Sequence, residues 1–428
     1  MTQGGGLLQL VAQGKQDVFL TGNPQTTWFK MVYRRYTNFA IEAQSMPFDN
    51  QADFGRTITC QIPRKGDLLG ALWLEIQLPA IKDSVTGAPL SYTNAVAHAL
   101  IQEVSLEIGE QEIDKQTGEW MELWSNYTVT EDKRQAWNNM IGKTSGGSQG
   151  NTPSNFVRQY GPLTLYVPLR FWFCKNPGLY LPLIALQYHT IRLKMKLRPL
   201  NQMFVVDSPT SNPCDQTADA AASITSFNLY GDYIHLDTDE RRRFVANAHE
   251  YLIEQVQYTP SIGIDAAAST VQIPMEFNHP MRELFWVVQR DAAVNAHQWF
   301  NYTNLSIGET STSQNTYQNL INTALLKIDG FDRFEVRNAD YFRLVQPFQY
   351  HTVIPLDDFI YTYSFCFHPE QVQPNGSMNA SRLDTMTLQL EMNPTPSPAR
   401  GKSNVRIYGL NHNVLRVVDG FGGLLFRV

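Results

Sequence analysis

The chain has 428 residues, of which 43% are hydrophobic and 17% charged, with 8 Trp, 19 Tyr and 23 Phe. At roughly 100–200 residues per domain this length predicts two to four domains, each able to build a core without disulfides or metals, and the composition excludes a disordered, collagenous or coiled-coil chain. The net charge of −6 offers no dense cationic face for a nucleic-acid backbone, which argues against a genome-coating role.

The chain opens on MTQGGGLLQLVAQGKQD, where Gln9 breaks a short apolar run and no basic segment precedes it. This reads as neither a signal peptide nor a membrane span. Strand signals then dominate. Residues 57–62 alternate with Ile58, Cys60 and Ile62 on one face, 104–108 and 191–197 read the same way, and a further strand is predicted at 70–78. Such alternation marks antiparallel sheets with one packed side. Thr117 caps a short predicted helix carrying Trp120, Leu123 and Trp124, and Asp237-Thr-Asp-Glu240 resembles a capping box opening a helix through Phe244. Further strands are predicted at 227–236, 270–277, 283–289, 386–392 and 405–418. Residues 142–155, 207–223, 303–319 and 394–403 are polar and read as exposed, variable loops.

No pattern carries catalysis. Gly142-Lys-Thr144 matches the tail of a phosphate-binding loop, but Trp137 stands where its first glycine belongs. His249-Glu250 begins like a zinc-protease helix, yet Ile253 occupies the position of the second histidine. Asp329-Gly-Phe-Asp332 lacks the remaining oxygen ligands of a calcium loop and reads as a hairpin turn. Cys60, Cys174, Cys214 and Cys366 are too dispersed for a disulfide framework or a zinc site. Arg192, Lys194, Lys196 and Arg198 line one strand face, either as a solvated row with cross-strand ion pairs or as a contact to an anionic partner surface. Arg241–Arg243 follow Asp239-Glu240, so local pairing is expected. Sequons stand at Asn126, Asn301, Asn304, Asn375 and Asn379. The expectation is therefore no catalytic, cofactor-binding or metal-binding residues, and no cofactor.

Order and spacing repeat with a period of roughly two hundred residues. Strand 57–62, turn and strand 70–78 match strand 270–277, turn and strand 283–289. A strand runs into a tight turn at Gly109 and again at Gly330. Trp120 and Tyr341 follow at equal distance, and then Phe171-Trp-Phe173 matches Phe365-Cys-Phe367. Two β units of this size, each with about eight strands and a helix in a loop, predict an all-β fold of two tandem eight-stranded antiparallel jelly rolls with short helices in the loops.

Longer blocks carry a family resemblance: Gly4-Gly-Gly-Leu-Leu-Gln-Leu-Val-Ala12, Pro177-Gly-Leu-Tyr-Leu-Pro-Leu183, Leu236-Asp-Thr-Asp-Glu-Arg-Arg-Arg-Phe244, Ser381-Arg-Leu-Asp384 and Asn413-Val-Leu-Arg-Val-Val-Asp-Gly-Phe-Gly-Gly-Leu424. In these the chain resembles the major capsid proteins of nucleocytoplasmic large DNA viruses of the algal, amoebal and iridovirus type. It departs modestly from them at Tyr180 and at Ser377-Met-Asn-Ala380. The resemblance implies a double jelly roll without enzymatic activity, in three copies forming a homotrimeric pseudo-hexagonal capsomer that tiles an icosahedral shell. It implies an N-terminal arm at 1–24, a first jelly roll at 25–236, a linker helix at 237–249 and a second jelly roll at 250–428. The implied partners are further copies of the chain, minor capsid proteins and a penton protein, with no direct genome binding and no membrane-spanning segment. The implied location is the virion shell, assembled in the host cytoplasm. Two alternatives compete: a related viral scaffold lattice protein, and a carbohydrate-binding β-sandwich, which would need paired carboxylates in one cleft if hydrolytic.

Overall fold

The computed structural model describes residues 4–25, 28, 35–84, 87–144, 158–205, 222–305, 318–356, 358–393 and 401–426. It forms two compact units, residues 1–38 and 39–428. The first carries α1 (Gly5–Val11) and α2 (Val18–Thr21), and its Leu7, Leu8, Leu10, Phe19 and Leu20 are exposed.

The second unit begins with eight strands: β1 (Phe39–Met46), β2 (Thr57–Gln61), β3 (Leu68–Leu78), β4 (Ile101–Ile108), β5 (Gln111–Thr117), β6 (Leu163–Pro168), β7 (Ile191–Leu197) and β8 (Ser226–Leu236). They pair antiparallel into two four-stranded sheets, β1-β8-β3-β6 and β2-β7-β4-β5. The alternation dictates this packing. Ile191, Leu193, Met195 and Leu197 are buried while Lys194 and Lys196 face solvent, and the apolar faces of both sheets enclose one core with Leu72, Leu74, Leu106 and Phe173. Among the described residues the loops carry the α-helices α3 (Val96–Leu100), α4 (Gly118–Thr128) and α5 (Glu131–Ile141). Helix α5 lies where no element is expected from apolar periodicity, although Thr130 before Glu131-Asp132 and the left-handed Gly142 (φ 69°) after it are helix start and stop signals.

Helix α6 (Thr238–Ala246) follows. Asp237 caps it by accepting the Thr238 N–H at 2.7 Å, a simpler cap than the box expected from Glu240. The remaining strands are β9 (His249–Tyr258), β10 (Ile262–Ile264), β11 (Thr270–Pro274), β12 (Pro280–Arg290), β13 (Ile321–Ile328), β14 (Phe331–Asp332), β15 (Arg337–Asn338), β16 (Tyr361–Ser364), β17 (Met378–Asn379), β18 (Met386–Met392), β19 (Ser403–Val418) and β20 (Phe421–Leu424), with α7 (Asp291–Asn295) and α8 (Gln346–Tyr350) in the connections. In one sheet β9 and β10 pair with β19, β19 with β12, and β12 with β16. In the other, β11-β18-β13 carries β14 and β15 on its far side. Counting β9–β10 and β14–β15 each as one broken strand, this is the strand order of the first eight, with β17 and β20 added. A second core, with Ile273, Leu284, Trp286, Leu326, Leu390 and Ile407, lies between these sheets.

The spacing repeat is thus a repeat of topology. Gly109 and Gly330 both turn the fourth strand into the fifth, with φ of 58° and 82°. Phe173 and Phe367 both follow the sixth strand, but Phe173 is buried in its core and Phe367 is exposed.

Candidate functional site: the joint between the two jelly rolls

The helix α4 stands between the fifth and sixth strands of the first jelly roll. Thr117 opens it, its hydroxyl accepting the Trp120 N–H at 3.1 Å. The spacing of Trp120, Leu123, Trp124 and Tyr127 places all four on one face. That face does not return to its own core. It packs on the outer surface of the β9-β19-β12-β16 sheet, in a cluster with Val256, Phe285, Val287, Tyr408 and Leu410. Trp120 meets Phe285 edge-on at 5.3 Å and Tyr408 at 5.8 Å. The second jelly roll's sheet is therefore covered on both sides, and nearly every residue of β12 is buried. The unbroken run Leu284-Phe-Trp-Val-Val288 was the signal for this, since a strand buried on both faces loses its alternation.

Charged groups lock the same joint. Arg406 of β19 grips Glu119 of α4 through two bonds of 2.6 and 2.7 Å, and the hydroxyls of Tyr408 and Tyr302 donate to the same carboxylate at 2.5 and 2.8 Å. Burial opposes the ionised form of Glu119, but Arg406 and these hydroxyls hold its carboxyl below the usual range. Behind the helix, Glu122 accepts from Lys143 at 2.8 Å and lies 2.7 Å from His98 Nδ1, all three buried. Despite its burial, Lys143 and His98 hold Glu122 well below the ordinary glutamate range. Across the joint, Glu254 of β9 is gripped by Lys175 of the first jelly roll and by Arg282 of the second. Lys175 also lies 4.6 Å above the Trp124 ring. Asp114 of β5 accepts the Val256 N–H at 3.1 Å, and burial pushes its carboxyl up to about 6. The His351 ring lies against Tyr127 at 4.5 Å, with Nε2 2.5 Å from Glu283 and Nδ1 3.0 Å from Glu370. Burial lowers its basicity, but the two carboxylates outweigh this and raise it to about 9.

The other sequence features fall into structural roles. Gly142 ends α5 and Lys143 points into the Glu122 pair, so this segment is buried rather than the start of the loop expected at 142–155. The rest of that loop from 145, 207–221, 306–317 and 394–400 lie outside the described residues, whereas Thr303–Leu305, expected at a loop start, are buried. His249-Glu250 begins strand β9, not a helix. Asp329 turns the β13–β14 hairpin, its carboxylate accepting the Asp384 and Thr385 N–H groups at 2.9 and 2.8 Å. Arg192 and Lys196 stand opposite Glu107 and Glu103 in the ladder. Arg198 departs from that row and stacks on Trp299 of the second jelly roll at 3.6 Å. Arg241 pairs with Asp67 at 3.1 Å. Cys60, Cys174 and Cys366 are free thiols, with Cys60 and Cys174 pushed up to about 12 by burial; Cys214 lies outside the described residues. Of the sequons, Asn126, Asn301 and Asn304 are buried, Asn375 is half-buried and Asn379 is exposed. Among the described residues no group of three or more His, Cys, Asp or Glu is arranged to hold a metal, and no helix is long and apolar enough to cross a membrane.

Two jelly rolls of one strand order, joined through α4, make a double jelly roll. Residues 27–237 match the family model "Major capsid protein N-terminus" and residues 240–423 match "Large eukaryotic DNA virus major capsid protein". The chain is 37% identical to the major capsid protein of Phaeocystis pouchetii virus, with 99% of each chain covered, and 36% identical to that of Paramecium bursaria Chlorella virus 1 at the same coverage. Among solved structures it is similar to the quasi-atomic model of the PBCV-1 virus capsid, with a TM-score of 0.76, 32% identity, and 94% of this chain and 100% of that one covered. The Faustovirus major capsid protein shares the fold, with a TM-score of 0.74 at 13% identity, over 95% of this chain and 94% of that one. The chain belongs to the family of major capsid proteins of large eukaryotic DNA viruses. Its role is structural, in the capsid of the virion.

Proposed function

We propose that this capsid protein works as a homotrimer, a pseudo-hexagonal capsomer that tiles an icosahedral shell. The observation that carries this is the pair of like jelly rolls held at one rigid joint. Three such chains place six similar barrels around a threefold axis, so a threefold object packs with near-sixfold neighbours, and a closed ring limits its own size. In this reading residues 1–24 are an arm, 25–236 and 250–428 are the two jelly rolls, with described strands from Phe39 onward, and 237–249 is the linker. The partners are neighbouring trimers, minor capsid proteins and a penton protein, and assembly takes place in the host cytoplasm. The chain carries no enzymatic activity: the buried carboxylates at and behind the joint are held by cations, Glu119 by Arg406, Glu122 by Lys143 and Glu254 by Lys175 and Arg282. With a net charge of −6 it does not contact the genome directly.

Sedimentation velocity on purified protein, with negative-stain imaging, tests the reading. The expected result is a species of three times the chain mass with a hexagonal outline. A folded monomer persisting at micromolar concentration would overturn it.

A further inference from the structure

The joint inside one chain leaves its own counterpart incomplete. In the second jelly roll Phe285 and Tyr408 stand opposite each other on β12 and β19, on the outer face of the sheet, and both are buried beneath α4. The shared strand order makes β3 and β8 the equivalents of β12 and β19. There Trp73 and Tyr230 stand opposite each other, their rings stacked at 5.8 Å and 14°. Their neighbours Leu72, Leu74, Leu229 and Gly231 are buried, so this aromatic pair faces outward. The pair is half-buried, and among the described residues no helix packs over it as α4 packs over Phe285. On the same face Ile41 is 56% exposed and Tyr166 is 41% exposed.

The matching cover is also present and unused. The second jelly roll's connection between its fifth and sixth strands, equivalent to the one holding α4, presents Val345 and Phe348 outward at i, i+3 spacing, and Phe348 is 75% exposed. The edges tell the same story. Within the chain the fifth strand β5 abuts the first strand β9, through Asp114 to the Val256 N–H and Gln255 to Ile113 O. The corresponding fifth strand of the second jelly roll, β14–β15, is an open edge with Phe331 80% exposed. The corresponding first strand of the first jelly roll, β1, is an open edge too, exposed along most of its length. Along the first face Glu75 and Asp232 supply negative charge, and the incoming edge exposes Arg333 and Arg337 together with Asp332 and Glu335.

We propose that the outer face of the β1-β8-β3-β6 sheet is the docking surface for a second copy of this chain, whose Val345–Phe348 segment covers Trp73 and Tyr230 while its β14–β15 edge lies along β1. Each contact between chains then repeats the joint within a chain, and three repeats close the ring. The inference rests on the trimer reading and deepens it by naming both surfaces.

The test uses the full chain. Tyr230→Arg and Phe348→Arg are each measured by sedimentation velocity against wild type and against Lys194→Glu, an exposed control on the other sheet. The expected result is wild type and control assembled, with both arginine variants shifted to folded monomers and association weakened roughly 100-fold or more. Mixing Tyr230→Cys with Phe348→Cys under oxidation is expected to give a cross-linked pair that neither variant gives alone, which serves even where an arginine variant does not fold. If wild type is itself a monomer, the trimer reading fails. If wild type is a trimer while both arginine variants assemble normally and the mixed cysteines do not cross-link, the trimer stands and this surface assignment is wrong.

Discussion

Buried ion pairs decide the joint residue by residue, and removing one partner costs more than the pair contributes. Arg406→Met leaves Glu119 desolvated with only tyrosine hydroxyls for partners, so it should destabilise by about 3–5 kcal/mol. Adding Glu119→Gln should recover part of that loss; urea unfolding of both variants measures it. His351 gives a pH signature. Its folded basicity, at about 9, lies above the ordinary 6.5, so its contribution is complete below about pH 6.5 and is lost as pH rises through 9. The difference corresponds to roughly 3 kcal/mol. Thermal unfolding of wild type should weaken across that window, and His351→Gln should flatten the slope. An equal slope in the variant would assign the titration elsewhere. None of these roles was legible in the sequence. Glu119 and Arg406 are 287 positions apart, and no local pattern marks a charge whose partner comes from another domain.

Among the elements, α4 carries the largest share of the joint. Trp120→Ala empties a site ringed by Phe285 and Tyr408 and should cost about 3–5 kcal/mol, read as a fall in the unfolding midpoint. The two equivalent turns respond differently to one change. A Cβ at Gly330 meets nothing within 4 Å, so Gly330→Ala should cost only the left-handed backbone conformation, about 1–2 kcal/mol. A Cβ at Gly109 would stand 2.5 Å from the His189 ring, so Gly109→Ala should cost clearly more; equal losses in a side-by-side melt would count against the packing at His189. The spacing of the two glycines was readable because turn chemistry is local. Their different surroundings were not, since His189 reaches Gly109 only through the fold. The strands at 191–197 and 386–392 were legible to the residue because each buries a single face. By contrast, α5 escaped notice because only Arg134, Asn138 and Ile141 are buried along it, leaving little apolar periodicity to see.

For the whole molecule, the shared cluster around Trp120 should make the two jelly rolls one cooperative unit. Calorimetry of wild type should show one unfolding transition, and Trp120→Ala combined with Trp124→Ala should split it in two. The sequence by itself determined the all-β class, the two like halves, and the strands with one polar face, because burying one side of a sheet writes a period of two directly into the chain. The blocks spread along its length carried the family. Only the tertiary structure decided that α4 leaves its own barrel to cover the other, that β12 is buried on both faces, and that Trp73 and Tyr230 face outward, half-buried, with no helix over them among the described residues. Those facts depend on how two finished barrels lie against each other, and side chains hundreds of positions apart become neighbours only once both have folded.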